Sequence, residues 1–133
     1  MIKINKIVYN SPIIKVSYGK YQKKKSGNII KGESPIIKIT LIEAKIYISL
    51  ETTYDRSLFK KLDIGEKVDI SDSLSDISYE DKDGWISLIY GYHKCIVERK
   101  NEKVFNFKLS CKADECGENY NILINENIDI KLE

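Results

Sequence analysis

From Tyr120 to Leu132 the chain alternates in phase. The even positions are Tyr120, Ile122, Ile124, Glu126, Ile128, Ile130 and Leu132, and the odd positions are Asn121, Leu123, Asn125, Asn127, Asp129 and Lys131. Successive side chains of a strand point to opposite faces, so this period of two predicts a strand with one buried face. Glu126 interrupts the apolar phase and predicts a bulge or bend over Asn125 to Asn127. Upstream, Phe105, Phe107, Leu109 and Cys111 alternate with Val104, Asn106, Lys108 and Ser110, a second half-buried strand. Trp85 to Val97 is apolar on both phases, the pattern of a strand covered on both faces in the middle of a sheet. The polar connections Arg99 to Glu102 and Ala113 to Gly117 have hairpin length. The last three strands should therefore form an antiparallel meander, with Phe105, Phe107, Leu109, Ile122, Ile124, Ile128 and Ile130 in the core.

The N-terminal half is strand-rich but shifts phase twice. Ile2 and Ile4 lie on one phase and Ile7 and Tyr9 on the other, which predicts a bulge or break near Asn5 and Lys6. Ile14, Val16 and Tyr18 alternate after the turn residues Asn10, Ser11 and Pro12. Between Ile36 and Leu50 the apolar set moves from Ile37, Ile39 and Leu41 to Ile42, Ala44, Ile46, Ile48 and Leu50, which predicts a bulge inside one long strand. The single helix expected spans about 55–62: Asp55 caps it, Leu58, Phe59 and Leu62 share a face, and Gly65 follows. No repeat or linker divides the chain. The elements add up to one all-β domain over residues 1–133, a β-sandwich or partly closed β-barrel of about seven to nine mostly antiparallel strands.

Composition strengthens that reading. The chain of 133 residues holds 23 Ile and 20 Lys against two Ala and two Arg. Ile is β-branched and favours strands, while Ala, the best helix former, is nearly absent. Codons for Ile, Lys and Asn are A/T-rich, so the bias points to an A/T-rich genome and lowers the weight of any single lysine. No apolar run approaches the ~18–20 residues of a membrane-spanning helix. The alternating start, Met1 to Asn5, is not a secretory signal, so a cytoplasmic protein with reduced thiols is expected.

The formal net charge is only +2, but residues 1–66 carry a net of +7 and residues 67–133 a net of −5. The basic part peaks at Lys20, Lys23, Lys24 and Lys25, with Tyr18 and Tyr21 interleaved. Cations beside exposed rings on β-structure are the ingredients of a single-strand nucleic-acid surface. A solvated hairpin tip has the same composition, and arginine, the usual reader of bases, is scarce.

Catalytic and metal chemistry have few candidates. His93 is the only histidine, and in a strand it shares a face with Cys95, so a nucleophile and its base could sit together. A thiol among Ile89 and Val97 would instead be buried and inert. His93, Cys95, Cys111 and Cys116 make a nominal Cys3His zinc set without a zinc-knuckle spacing, and Cys111 and Cys116 could form a disulfide only in an oxidising compartment. The acidic stretch 69–83 fails the EF-hand template, because the position that needs a bidentate Glu holds Tyr90. Phosphate loops, nucleophile elbows and zincin motifs are absent from the sequence. The expectation is a non-enzymatic binding or assembly domain without cofactor or metal. It would act through protein contacts or self-association, away from membranes, as a small accessory or mobile-element protein of an A/T-rich bacterium. Nucleic-acid binding through the lysine-rich hairpin is the second expectation, and a metal-dependent or hydrolytic enzyme without a motif the third.

Overall fold

Stiff, β-branched side chains at every second position leave the chain little alternative to extended structure. The computed structural model describes residues 1–133, the side chain of Lys23 excepted. It contains strands β1 (Ile2–Ile4), β2 (Ile7–Tyr9), β3 (Ile13–Lys25), β4 (Asn28–Leu41) and β5 (Ile46–Thr52), then helix α1 (Arg56–Lys61). There follow β6 (Lys67–Asp69), a 3-10 turn (Ser71–Ser73), β7 (Leu74–Asp81), β8 (Gly84–Ser87), β9 (Tyr92–Arg99), β10 (Val104–Glu115) and β11 (Glu118–Asp129). One sheet has six strands in the order β2-β1-β11-β10-β9-β6, and the other has five in the order β3-β4-β5-β7-β8. Every strand pair is antiparallel. The two sheets face each other across one cluster of buried side chains, and the fold is an all-β sandwich rather than a closed barrel.

The core is built as the alternation requires. From the five-stranded sheet come Ile37, Ile39, Ile48, Leu50 and Ile77, all at most 1 % exposed. Phe105, Phe107, Leu109, Ile122, Ile124, Ile128 and Ile130, the expected core of β10, β11 and the residues that follow, are likewise buried. β9, β10 and β11 form the expected meander, with β10 paired to β11 over its whole length. Helix α1 closes one end. The Asp55 carboxylate accepts from the Ser57 N–H as its N-cap, and Phe59 inserts edge-on against Phe105, ring centroids 5.3 Å apart. Leu58, expected on the inner face, is exposed, since a helix this short buries only one stripe.

Three local expectations are corrected, and the expected break at Asn5 and Lys6 takes a definite form. The strand count is eleven rather than seven to nine, in part because the stretches 36–50 and 85–97, each expected as one strand, are two strands apiece. The break at Asn5 and Lys6 is a two-residue hairpin, with Ile4 opposite Ile7 and Asn5 at φ 55°. The phase change after Leu41 is no bulge: β4 ends there, a turn crosses residues 42–45, and β5 begins at Ile46. β11 runs straight past Glu126, which stays in register opposite Phe107 and meets the Met1 ammonium group with its carboxylate.

The largest correction concerns Trp85 to Val97. It is two strands in different sheets: β8 is an edge of the five-stranded sheet and β9 lies inside the six-stranded one. A Cβ on Gly91 would fall 2.3 Å from the Lys112 carbonyl oxygen, so this crossing between sheets requires glycine.

Candidate functional site

β5 covers β4 only from Ile36 to Leu41, whereas β3 pairs with β4 all the way to the tip, Lys25 opposite Asn28. The outer half of this hairpin is therefore a two-stranded ribbon that runs beyond the sandwich. Ser26 and Gly27, both at positive φ, make its turn. Lys20, Lys24 and Lys25 are exposed along it; Lys23 pairs opposite Ile30, and its side chain lies outside the described part of the structure. Ile29 and Ile30 are exposed beside them.

The two tyrosines expected to stack on bases have structural contacts instead. Tyr21 donates its hydroxyl to Asp55 Oδ2 at 2.8 Å, and the Glu33 N–H donates to the same oxygen at 3.1 Å. Burial, then the bond to Asp55 and its charge, push the Tyr21 phenol up to about 12. Tyr18 lies beneath the Arg56 guanidinium, 4.0 Å from the ring centroid, and its hydroxyl accepts from the Lys131 N–H. Arg56 also donates to Glu33 and to the Lys131 carbonyl. These contacts clamp the base of the ribbon to α1.

An open groove of about 1340 Å³ separates the inner face of β3 from the chain after β11, with Ile14, Val16 and Ile130 in its wall. Both arginines of the chain line it, and both are engaged by the protein. Arg99 donates to the carbonyls of Lys60, Leu62, Asn101 and Glu102, which satisfies the end of α1 and the hairpin between β9 and β10.

The cysteines and the histidine do not form a reactive centre. Cys95 is fully buried, and desolvation, with the nearby Asp69 charge, raises its thiol to about 12. Burial raises Cys111 to about 11. The His93 ring nitrogens face the carbonyl oxygens of Ser71 and Gly91. His93 lies opposite Cys111 in the sheet, but Cys116 forms the turn after β10, five residues and roughly 17 Å further on. Among the described residues no three His, Cys, Asp or Glu side chains converge on a metal position, and all three cysteines are free thiols. The acidic stretch is engaged within the protein: Asp69 accepts from the Ser71 N–H and Asp81 from the Asp83 N–H in local turns, and Asp76 accepts from the Ser87 hydroxyl of the neighbouring strand. Among the described residues no helix is long and apolar enough to cross a membrane.

The surface that sequence reading missed is the solvent face of the five-stranded sheet. Register places Ile13, Thr40, Tyr47, Glu80 and Trp85 in one row across all five strands. Ile13 is 42 % exposed, Tyr47 48 % and Trp85, the only tryptophan, 63 %. The next row is Lys15, Lys38, Ser49, Ser78 and Ser87, and the third contains Ile36, Glu51 and Asp76. Cations thus gather on β3 and β4 and carboxylates on β5 and β7, while the row that holds Ile13, Tyr47 and Trp85, interrupted by Thr40 and Glu80, crosses all five strands. The alternation of Tyr47, Ser49 and Glu51 was visible in the sequence, but the cross-strand row was not.

The chain matches no protein-family model, no curated protein and no solved structure.

Proposed function

We propose that this protein is a non-enzymatic assembly domain that binds a second copy of itself through the solvent face of the five-stranded sheet. The observation that carries the reading is the position of Trp85, exposed in one row with Tyr47 and Ile13. Tryptophan and tyrosine are the residues most often found at the energetic centre of protein interfaces.

Charge layout favours a second copy as the occupant. A twofold axis running along β5 places β3 of one copy over β8 of the other, and β4 over β7. In that arrangement Ile13 meets Trp85, Tyr47 meets its own counterpart, and Lys38 enters between Asp76 and Glu80. The same face is self-complementary, as a twofold interface requires. Three rows across five strands make a small interface, near the ~1,200 Å² lower end of specific ones, so micromolar association is expected.

Sedimentation velocity tests this. The wild type should dimerise as its concentration rises. Trp85→Glu should weaken association roughly 30-fold or more, the size of a hot-spot loss. Lys38→Glu and the pair Asp76→Lys/Glu80→Lys should each be monomeric alone and associate when mixed, because mixing restores opposite charges at both contacts. A wild type that stays monomeric at every concentration would refute the proposal.

A further inference from the structure

The opposite outer face, on the six-stranded sheet, has a different chemistry. Its central row is Val8, Lys3, Leu123, Ser110 and Lys94. On one side lie Asn121, Lys112 and Tyr92, and on the other Asn125, Lys108, Ile96 and Asp69. Lys94 pairs with Ser110 and is therefore diagonal to both Lys108 and Lys112, within about 7–8 Å at the backbone. None of Lys3, Lys94, Lys108 and Lys112 forms an ion pair among the described residues.

Three carboxylates border these lysines: Asp69 near Lys94, Glu98 near Lys108, and Asp114, exposed two residues from Lys112 on the same face of β10. Glu98 pairs with Lys67 and Lys100, and Asp69 accepts from the Ser71 N–H and hydroxyl. Tyr92, opposite Lys112, is 60 % exposed. Neighbouring like charges on a sheet are unfavourable until an anion lies across them. Three of these lysines come from the half of the chain with a net charge of −5, so the fold concentrates positive charge where the sequence has an excess of acid.

We infer that this face binds single-stranded nucleic acid: Lys3, Lys94, Lys108 and Lys112 hold consecutive phosphates, a base stacks on Tyr92, and the amide of Asn121 reaches a base edge. The geometry favours a single strand over a duplex. The face presents no helix or arginine to a groove, and its exposed ring needs an unpaired base. The four lysines span β1, β11, β10 and β9, three strand spacings or about 14 Å, a length suited to a few nucleotides. The face is separate from the stripe around Trp85, so the two sites can be occupied together. It is also separate from the lysine-rich ribbon, whose tyrosines are engaged with Asp55 and Arg56.

Fluorescence anisotropy of a labelled twelve-nucleotide oligothymidine, titrated with the full-length protein, tests the inference. Binding should weaken with salt along a log–log slope of roughly −3, from about −0.7 for each of four single-strand contacts. Lys94→Gln/Lys108→Gln/Lys112→Gln should reduce the slope to about −0.7, and arginine at the same three positions should restore binding. Tyr92→Ala should weaken binding roughly 5–150-fold, the range for a lost stacking contact. Lys20→Gln/Lys24→Gln/Lys25→Gln in the ribbon should leave the affinity within about twofold, since the account places no phosphate there. Unchanged far-UV circular dichroism shows that each variant is folded. Three results would overturn the inference: no binding at low salt, equal competition by polyglutamate, which would mark an acidic protein as the ligand, or loss of binding in the ribbon variant instead of the sheet variant.

Discussion

The hydroxyl of Tyr21 donates to the carboxylate of Asp55 at 2.8 Å, across 34 residues of sequence. Asp55 is also the N-cap of α1, so one side chain starts the helix and fixes the β3–β4 ribbon. Gly32 makes the approach feasible: a Cβ there would fall 2.1 Å from Asp55 Oδ2 and 2.5 Å from the Tyr21 hydroxyl. Gly32→Ala should therefore destabilise the protein by about 1–3 kcal/mol, the usual result of forcing atoms into a packed site. Chemical denaturation measures this, and an unchanged midpoint would mean that the clamp tolerates displacement.

Asp55 also predicts a pH dependence. Burial raises its carboxyl pKa, but the bonds from Ser57, Tyr21 and the Glu33 N–H outweigh this and hold it below the ordinary value of 3.8. A group whose folded pKa is depressed contributes stability above its unfolded pKa and loses it as pH falls through the folded one. The stability gap between wild type and Asp55→Asn should be constant near neutrality and close below about pH 4. Urea midpoints of both proteins from pH 7 to pH 2.5 give the comparison, and a gap that widens in acid would contradict the assignment.

Phe107 is 1 % exposed and lies 6.1 Å from the Phe59 ring, where helix and meander meet. Phe107→Ala should cost roughly 3–5 kcal/mol. Phe59→Ala should cost a similar amount, and the double variant less than the sum, since both changes empty one site. Denaturation of the three variants reads the coupling, and strict additivity would place the rings in independent environments.

The thiols should differ in reactivity. Cys116 is exposed at a hairpin turn, whereas Cys95 and Cys111 are buried with raised pKa values. At pH 8 one thiol should react rapidly with an aromatic disulfide reagent, and the other two only on unfolding. Cys116→Ser should abolish the fast phase, and three equally fast thiols in the wild type would contradict the burial.

Legibility in the sequence followed the length of unbroken patterns. β10 and β11 hold one phase over twelve residues each, and both were readable with their buried faces. Asp55 announced α1 because a capping carboxylate acts locally. Trp85 to Val97 misled because two short strands that move between sheets have the same bifacial hydrophobicity as one central strand. Gly91, inside that apolar run, was the available signal for the crossing. The two outer faces were not readable, because the rows Ile13 to Trp85 and Val8 to Lys94 exist only once the register is known. The clamp between Tyr21 and Asp55 was hidden for the same reason, so the ribbon tyrosines read as free.

Trp85 is the only tryptophan, so its fluorescence reports directly on the proposed face. If two copies meet there, dilution from about 200 µM to about 1 µM should shift its emission to the red and increase its quenching by acrylamide, as mass action dissociates the dimer. Lys38→Glu should show the solvent-exposed emission at every concentration. An emission maximum in the wild type that is already that of exposed tryptophan, and that does not move over this range, would contradict the account.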